Sequence, residues 1–491
     1  MKGRGKTATA MKENYIELTL MPLDAESVCR ITEGELIRVN GGFGGRIQYV
    51  TSDSRVVLES GMFVAINGET FDGNAYIEDA VRKGKRLVLC ERADTYPADM
   101  PGADLVVVPD SVIALGKLAK HYIYESRVRT VAVTGSVGKT TTKEFIHAVL
   151  SQKYRTQKTE GNKNNEIGLP ETALKIEPDA EYAVFECGMC GLGEIEYLSK
   201  IVCPDIGVIT NIGSSHLEKL GTRENIAKAK LELTEGMSTD ALLVINADEP
   251  LLTESETVKN HGRVVTAALR NRNADYRALN LRTVATGMVF DLIYRNRVAA
   301  NVEIPVFGAH NVYDALYAFA VGIEAGMSES DIRLGLMSYK GAAMRQRIYE
   351  VGNITVIEDC YNASPESMRA SIDVLASMAK TKGTRATALL GDMKELGEYT
   401  VLMHQQVGVY AAKAGVKVLY TYGQLAENIA ESAITNGVRA ENVYVNLDSN
   451  APSVTGDMIL SAAMPGDVLL VKASRAVAAE KVIEYIKKKL S

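Results

Sequence analysis

A chain of 491 residues is too long for a single hydrophobic core and implies two to four domains. Its composition, 46% apolar and 24% charged, is that of an ordinary globular protein, and a net charge of −6 with no long single-sign block argues against a nucleic-acid surface. No apolar run approaches the ~18 residues of a membrane span, and six scattered cysteines fit a reducing compartment rather than a disulfide scaffold, so a cytoplasmic protein with no membrane partner is expected.

The first ten residues are basic and lack an apolar stretch of the secretory kind; they read as a frayed tail. From about Tyr15 to Pro109 the pattern predicts a small α/β domain. Gly61 to Gly68 reads as a buried strand ending in a turn, Asp72-Gly73 as a further turn, Tyr76 to Lys83 as a helix and Arg86 to Cys90 as a strand. Ser54 and Arg55 stand just before this run. A turn that holds a phosphate or a ribose and a plain exposed turn fit that spacing equally well.

Ser111 to His121 predicts a helix, and it leads into Arg129-Thr-Val-Ala-Val-Thr-Gly-Ser-Val-Gly-Lys-Thr-Thr-Thr142. Val131 and Val133 give a short strand its apolar face, and Phe145, Ile146, Val149 and Leu150 give the next helix its own. Between them, Gly135 and Gly138 allow a tight turn that a phosphate can approach, with Thr134, Ser136, Val137 and Thr141 supplying neighbouring loop amides. Lys139 adds a cation and Thr140 a hydroxyl suited to a metal ion. The pattern is the short Thr-Gly-x-x-Gly-Lys-Thr form, with Val133 where the commoner phosphate loop has its first glycine.

Three more apolar strands are expected, Tyr182 to Glu186, Ile206 to Asn211 and Ala241 to Asn246, with helical segments between them. This order predicts a parallel sheet with helices on both faces and its ligand at the carboxyl ends of the strands. Glu186 and Asn211 end two of these strands, and His216 lies just beyond. A carboxylate at a buried strand end needs a partner. Thr140, Glu186 and His216 therefore form a candidate donor set for the Mg2+ that accompanies a triphosphate. Cys187 and Cys190 share a C-x-x-C spacing, but there is no second pair downstream, so buried or loop thiols are the preferred reading.

Tyr276 to Val306 alternates in a way that predicts a small antiparallel sheet, and Ala309 to Gly326 an amphipathic helix with Asn311 near its start. From about Tyr339 strands are expected at 354–358, 387–390, 416–421, 443–446 and 468–472. Helices are expected at 365–379, 401–414, 424–435 and 476–489, ending in the exposed cluster Lys487-Lys488-Lys489. This is a Rossmann-like unit without a G-x-G-x-x-G turn, so no dinucleotide site is read into it. The expected plan is α/β with three domains: 1–110, a small N-terminal α/β domain; 111–338, a central phosphate-loop ATPase-like parallel sheet; and 339–491, a C-terminal Rossmann-like domain.

Several ordered stretches together resemble one family. They are Gly135-Ser-Val-Gly-Lys-Thr140, Gly161-Asn-Lys-Asn-Asn-Glu-Ile-Gly-Leu-Pro170, Glu186-Cys-Gly-Met189, Gly193-Glu-Ile195, Thr210-Asn-Ile-Gly-Ser-Ser-His-Leu217 and Ala227-Lys-Ala-Lys-Leu-Glu232. The chain is similar to the Mur ligases, the ATP-dependent amide ligases of peptidoglycan synthesis. Three stretches point to the branch that joins D-alanyl-D-alanine to UDP-N-acetylmuramoyl-tripeptide: the Asn162/Asn164/Asn165 loop, Glu358-Asp-Cys-Tyr-Asn-Ala-Ser-Pro365, and Gly391-Asp-Met-Lys-Glu-Leu-Gly397 with His404.

The resemblance implies a first domain that binds the UDP end of the substrate, so that Ser54 and Arg55 become its contacts. It implies a central domain for ATP and Mg2+, with Asn311 at the adenine, and a last domain for the dipeptide that closes over the nucleotide. Arg345 and Asp359 would reach the nucleotide; Asn162, Asn165, Tyr361, Asn362, Lys472 and Arg475 would meet substrate. It further implies that Lys230 is carbamylated and joins Thr140, Glu186 and His216 at the metal, since an unmodified lysine is a cation and no metal ligand. Lys228 ranks second for that role. A monomer is expected.

Cys190, Asp314, Ser364 and Ala476-Val477 depart from the family pattern without removing a proposed phosphate or metal ligand. Rival readings are a ligase of the same fold that adds a single amino acid, a folylpolyglutamate synthase-like ligase, and a nucleotide-binding module without chemistry. The Asp-Asn-Pro-Arg stretch expected of the first rival is absent from the sequence.

Overall fold

The structure is a computed structural model that describes residues 14–490 except 69–70, 94–95 and 97–98; the expected frayed tail lies outside the described residues. Its strands form three sheets, of six, nine and six strands in chain order.

The N-terminal sheet runs, edge to edge, Ile16–Glu17, Tyr49–Thr51, Met62–Val64, Leu87–Cys90, Ala103–Val107 and Glu35–Val39. Its inner four strands are parallel and both edges antiparallel. The expected strand from Gly61 is confined to Met62–Val64, and the expected helix from Tyr76 starts as a 3-10 turn at Gly73–Tyr76 before the α-helix Ile77–Arg82. Asp72 caps that turn by accepting the Asn74 amide N–H.

In the central sheet Arg129–Thr134 is the third strand from one edge, flanked in parallel by Ile206–Ile209 and Tyr182–Glu186. Both faces are covered, as a parallel sheet demands. Val131 and Val133 point into one core with Phe145, Ile146 and Val149 of the Lys139–Leu150 helix and Leu316 and Phe319 of the Ala309–Glu324 helix. Ala132, one residue out of phase, joins the opposite core with Phe185, Leu198 and Ile226. The alternating segment after Tyr276 forms no separate sheet. Tyr276–Val284 pairs in parallel with Arg263–Ala268 through only Ala267 and Ala268, then runs antiparallel with Gly287–Tyr294, so three strands extend the central sheet.

The helix Ser111–Ser126 is shared between cores: Leu115, Leu118 and Tyr122 pack on the N-terminal sheet, Ala119 and Ile123 beneath the central one. The C-terminal sheet is Arg347–Val351, Ile354–Glu358, Val468–Lys472, Ala386–Gly391, Val418–Tyr422 and Val443–Asn446, parallel except at its first strand. The last helix starts at Glu480 rather than Ala476, because Ala478 takes a left-handed backbone and separates the turn Arg475–Val477 from the helix. The helix Pro452–Ala462 has no counterpart among the elements expected from sequence.

Candidate active site

The carboxyl ends of the central strands open into a cavity of about 820 Å3 between the central and C-terminal units. Its floor is the loop after Arg129–Thr134. Two of its glycines are obligatory: Gly135 (φ 146°) and Gly138 (φ 90°) have left-handed backbones, and a Cβ would lie 2.0 Å from Thr210 Oγ1 or 2.8 Å from Asp314 Oδ1.

The next strand end pins the loop. The Val137 amide N–H donates to Asn211 Oδ1 (2.9 Å), while Thr210 Oγ1 (2.6 Å) and Asn211 Nδ2 (2.9 Å) donate to the Val137 carbonyl. The Lys139–Leu150 helix begins directly after Gly138, so its free N–H groups face the cavity. Lys139 Nζ folds back onto the Gly135 carbonyl at 2.8 Å. Burial pushes its pKa down, and Glu186 opposes that shift.

Glu186 is buried at the end of its strand and is fully partnered. Thr140 Oγ1 donates to Oε2 and Asn164 Nδ2 to Oε1, each at 2.9 Å, and the Lys143 ammonium lies 3.5 Å from Oε2. Burial pushes the Glu186 carboxyl up, but Lys143, Lys139 and Arg345 outweigh it and hold the group below the usual carboxylate range. Lys143 was missed by sequence reasoning. Its only signal there is a lysine four residues after Lys139, one turn on and on the buried side of the helix.

Lys230 is completely buried, and its Nζ has no hydrogen-bond partner among the described residues. Burial first, then the Lys139 charge, drives its pKa well below that of an ordinary lysine. Lys228 points to solvent. Ser136 Oγ, in the phosphate loop itself, is a second buried polar atom without a partner. Both atoms are unmet polar demand of the sort a bound group satisfies, though only Ser136 lines the cavity.

His216 lines the cavity from the loop after Ile206–Ile209, with Nδ1 2.7 Å from Glu395 Oε2 of the C-terminal unit. Among the described residues no three of His, Cys, Asp and Glu come together as a metal cluster. A hydroxyl and one carboxylate in contact do suit Mg2+, which takes most of its ligands from water and phosphate oxygens.

The far wall belongs to the C-terminal unit. Asp359 Oδ2 accepts from Lys472 Nζ (2.7 Å) and Ser371 Oγ (2.5 Å), and Lys472 also donates to the Asn362 carbonyl at 3.1 Å. Arg345 lies over the Tyr361 ring, 4.2 Å from its centre. Asn311 Nδ2 donates to the Phe307 carbonyl (2.7 Å) and to Gln346 Oε1 (3.1 Å), tying the two walls together. Asn165, Tyr361 and Asn362 line the cavity.

Other sequence-predicted residues lie elsewhere. Thr134 Oγ1 is occupied by the Cys187 carbonyl, Asn162 is exposed, and Arg475 pairs with Glu480 at 2.8 Å; none of the three lines the cavity. Of the departures, Cys190, Asp314 and Ser364 line it. Ser364 caps the Pro365–Lys382 helix in a reciprocal pair with Ser367.

Ser54 and Arg55 line a second cavity of about 680 Å3 in the N-terminal unit, with Phe63, Phe71 and Tyr76. Ser54 Oγ donates to Asp79 Oδ2 (2.8 Å), and Arg55 folds onto Asp53 through two N–H groups at 2.8 and 2.9 Å. Lys85, also missed, is buried beneath them and donates to the carbonyls of Ser54 (2.8 Å) and Val56. Among the described residues no helix is long and apolar enough to cross a membrane.

Comparison with known proteins gives three family matches: a Mur ligase family catalytic domain over residues 46–123, a Mur ligase middle domain over 133–322, and a Mur ligase glutamate ligase domain over 344–475. A UDP-N-acetylmuramoyl-tripeptide–D-alanyl-D-alanine ligase of Bacillus subtilis is 35% identical over 441 residues, 89% of this chain and 93% of that protein. A crystal structure of MurF from Acinetobacter baumannii superposes with a TM-score of 0.85 at 28% identity, covering 96% of this chain and all of that one. MurF from Thermotoga maritima, in complex with ADP, gives a TM-score of 0.80 at 29% identity over 90% of this chain and 97% of that one.

Proposed function

This chain belongs to the Mur ligase family, and on that premise we propose that it joins D-alanyl-D-alanine to UDP-N-acetylmuramoyl-tripeptide at the expense of ATP, a cytoplasmic step of peptidoglycan precursor synthesis. The observation that carries the reading is the junction of a phosphate loop, a buried Glu186 and a wall of C-terminal residues around one cavity. A nucleotide switch needs the loop alone; a ligase needs a second wall to present the acceptor.

ATP sits with its phosphates on Gly135 to Thr141 and its adenine toward Asn311. The γ-phosphoryl passes to the terminal carboxylate of the tripeptide. Lys139 and the loop amides stabilise the charge that develops on the moving group. The resulting acyl phosphate is attacked by the dipeptide amine, presented from the side of Tyr361, Asn362 and Lys472 while Arg345 and Asp359 face the nucleotide, and the tetrahedral intermediate collapses to the amide as inorganic phosphate leaves and the amine proton is lost. Closure of the C-terminal unit over the cavity keeps water from the acyl phosphate. The N-terminal cavity takes the UDP end, with Arg55 exchanging Asp53 for a phosphate oxygen.

Thr140 and Glu186, with His216 and a carbamylated Lys230, are the residues that would hold Mg2+, and the ion would supply charge neutralisation for the phosphates. The support for carbamylation is chemical. Burial favours the neutral amine, the form that attacks carbon dioxide, and the product would give the unpartnered Lys230 Nζ the polar company it lacks.

The test is substrate-resolved ADP release. Release that requires both UDP-muramoyl tripeptide and D-alanyl-D-alanine is expected. Release supported by a single amino acid in place of the dipeptide sinks the assignment in favour of a different ligase of the same fold.

A further inference from the structure

The loop that carries His216 meets the C-terminal unit at three points. Ser214 Oγ donates to Glu366 Oε1 (2.7 Å), the Glu218 amide N–H donates to the Glu395 carbonyl (3.1 Å), and His216 Nδ1 lies 2.7 Å from Glu395 Oε2. Both members of the last pair have left-handed backbones, His216 at φ 65° and Glu395 at φ 64°. For residues with a Cβ that conformation is costly and persists only where the surroundings enforce it.

The surroundings of Glu395 do enforce it. The Met393 amide N–H donates to His404 Nε2 (3.0 Å), the Lys394 amide N–H donates to Ser474 Oγ (3.0 Å), and Asp392 Oδ1 accepts the Ala426 amide N–H (2.9 Å). His404 is itself locked through Nδ1 to the Thr400 carbonyl at 2.7 Å. Gly397, also left-handed, seats the end of the turn against Glu218. The Glu395 carboxylate therefore arrives at the interface on a rigid mount. The imidazole it meets lines the central cavity.

A neutral imidazole whose Nδ1–H is held by a carboxylate must present Nε2 as a lone pair. We propose that Glu395 is a positioning residue: it fixes His216 in the Nδ1–H tautomer with Nε2 free for the cavity, and it does so only while the C-terminal unit is seated on the central one. The tautomer of a central-domain histidine thus becomes a readout of domain docking. This inference rests on the ligase reading for its effect on turnover but not for its structural content.

The experiment is imidazole 15N NMR on the full chain labelled at histidine, at roughly pH 8.5 where an ordinary imidazole is neutral. His216 is identified by difference with His216→Asn. The wild type should show the Nδ1–H tautomer. Glu395→Gly accepts the left-handed backbone and removes the carboxylate; it should shift His216 toward the Nε2–H form and lower kcat for ligation by about 10–100-fold, with KM for ATP changing far less. Glu395→Asn, tolerant of the same backbone but one methylene short, should behave likewise. Glu395→Gln keeps an acceptor at the right reach and should restore both tautomer and most of kcat. An unchanged tautomer in Glu395→Gly and Glu395→Asn overturns the proposal, as does a Glu395→Gln variant as impaired as Glu395→Gly. If the tautomer responds as expected while the wild type shows no dipeptide-dependent ligation, the functional reading fails and the role of Glu395 stands.

Discussion

The two cavities of this protein carry their charge differently. In the central one the lining Glu186 and Asp314 are buried, and Lys143, paired with Glu186, is buried with them, while the lining Glu166 and Glu366 are exposed. In the N-terminal one Arg55 is exposed, with 82% of its side chain accessible as it folds onto a half-buried Asp53, and the buried Lys85 meets only backbone carbonyls nearby. Buried charges interact strongly and shift one another's proton affinities; exposed ones are screened by water and salt. On the proposed function, the buried Glu186–Lys143 pair of the central cavity suits charge that develops during a reaction, and the exposed Arg55 of the N-terminal cavity suits charge that a ligand brings with it.

Four substitutions break or sharpen that contrast. The largest effect is expected from Lys139→Ala, which removes the cation of the phosphate loop. Dipeptide-dependent ADP release should fall by at least about 100-fold while the circular dichroism spectrum stays native. Retained amide formation would remove the proposed role of the loop.

Lys230→Met comes next. It keeps the volume of the buried chain and deletes the amine, so turnover should fall by about 10–100-fold. In bicarbonate-depleted buffer the variant should be no less heat-stable than the wild type, because an unpartnered buried amine costs about 1–3 kcal/mol. The wild type should also take up 13C-labelled carbon dioxide at one lysine by NMR, and the variant should not.

Arg55→Ala, in the other cavity, should raise KM for the UDP-linked substrate by on the order of tenfold, the worth of one charge-assisted hydrogen bond. It should leave kcat and melting temperature near wild type and lose much of its effect at high salt. A collapse of kcat instead would mean that the two cavities are not separate in function.

The smallest effect concerns stability. Burial pushes the Asp314 carboxyl up to about 7, with Thr142 and Arg345 opposing the shift. Below the ordinary carboxylate pKa the group is protonated in both folded and unfolded chains and costs nothing. As pH rises from about 4 to 7 the unfolded chain loses the proton first, so the folded state is progressively penalised, and above about 7 the penalty is complete. Asp314→Asn still accepts from Thr142 Oγ1 but has no proton to lose. Its melting temperature should match the wild type near pH 4 and exceed it by roughly a few degrees at pH 8. A gap that opens toward acid instead would mean that Asp314 is ionised and paired in the folded protein.

Much of this architecture is legible in the sequence. The Thr134 to Thr140 loop, the strand ending in Glu186 and the left-handed glycines all arise from local chemistry: period-two apolar residues, a turn that needs glycine, and a helix start. The groups that sequence reasoning missed share a different character. Lys143 and Lys85 read as ordinary lysines, and their burial is matched by acceptors 16 and 31 residues away. The antiparallel segment after Tyr276 is recognisable as strands but not as part of the central sheet, because two residues of parallel pairing decide that continuity.

The sequence by itself determined most of the elements, their order and the family, since periodicity, turn residues and motif spacing are properties of neighbouring residues. Only the tertiary structure decided which polar groups are satisfied. That Glu186 is held by Thr140, Asn164 and Lys143, that Lys230 Nζ has no partner among the described residues, and that Glu395 reaches His216 from another sheet are facts about distance through space. Proton affinity, tautomer and charge stabilisation depend on that distance and on the exclusion of water, and neither is written in the order of the chain.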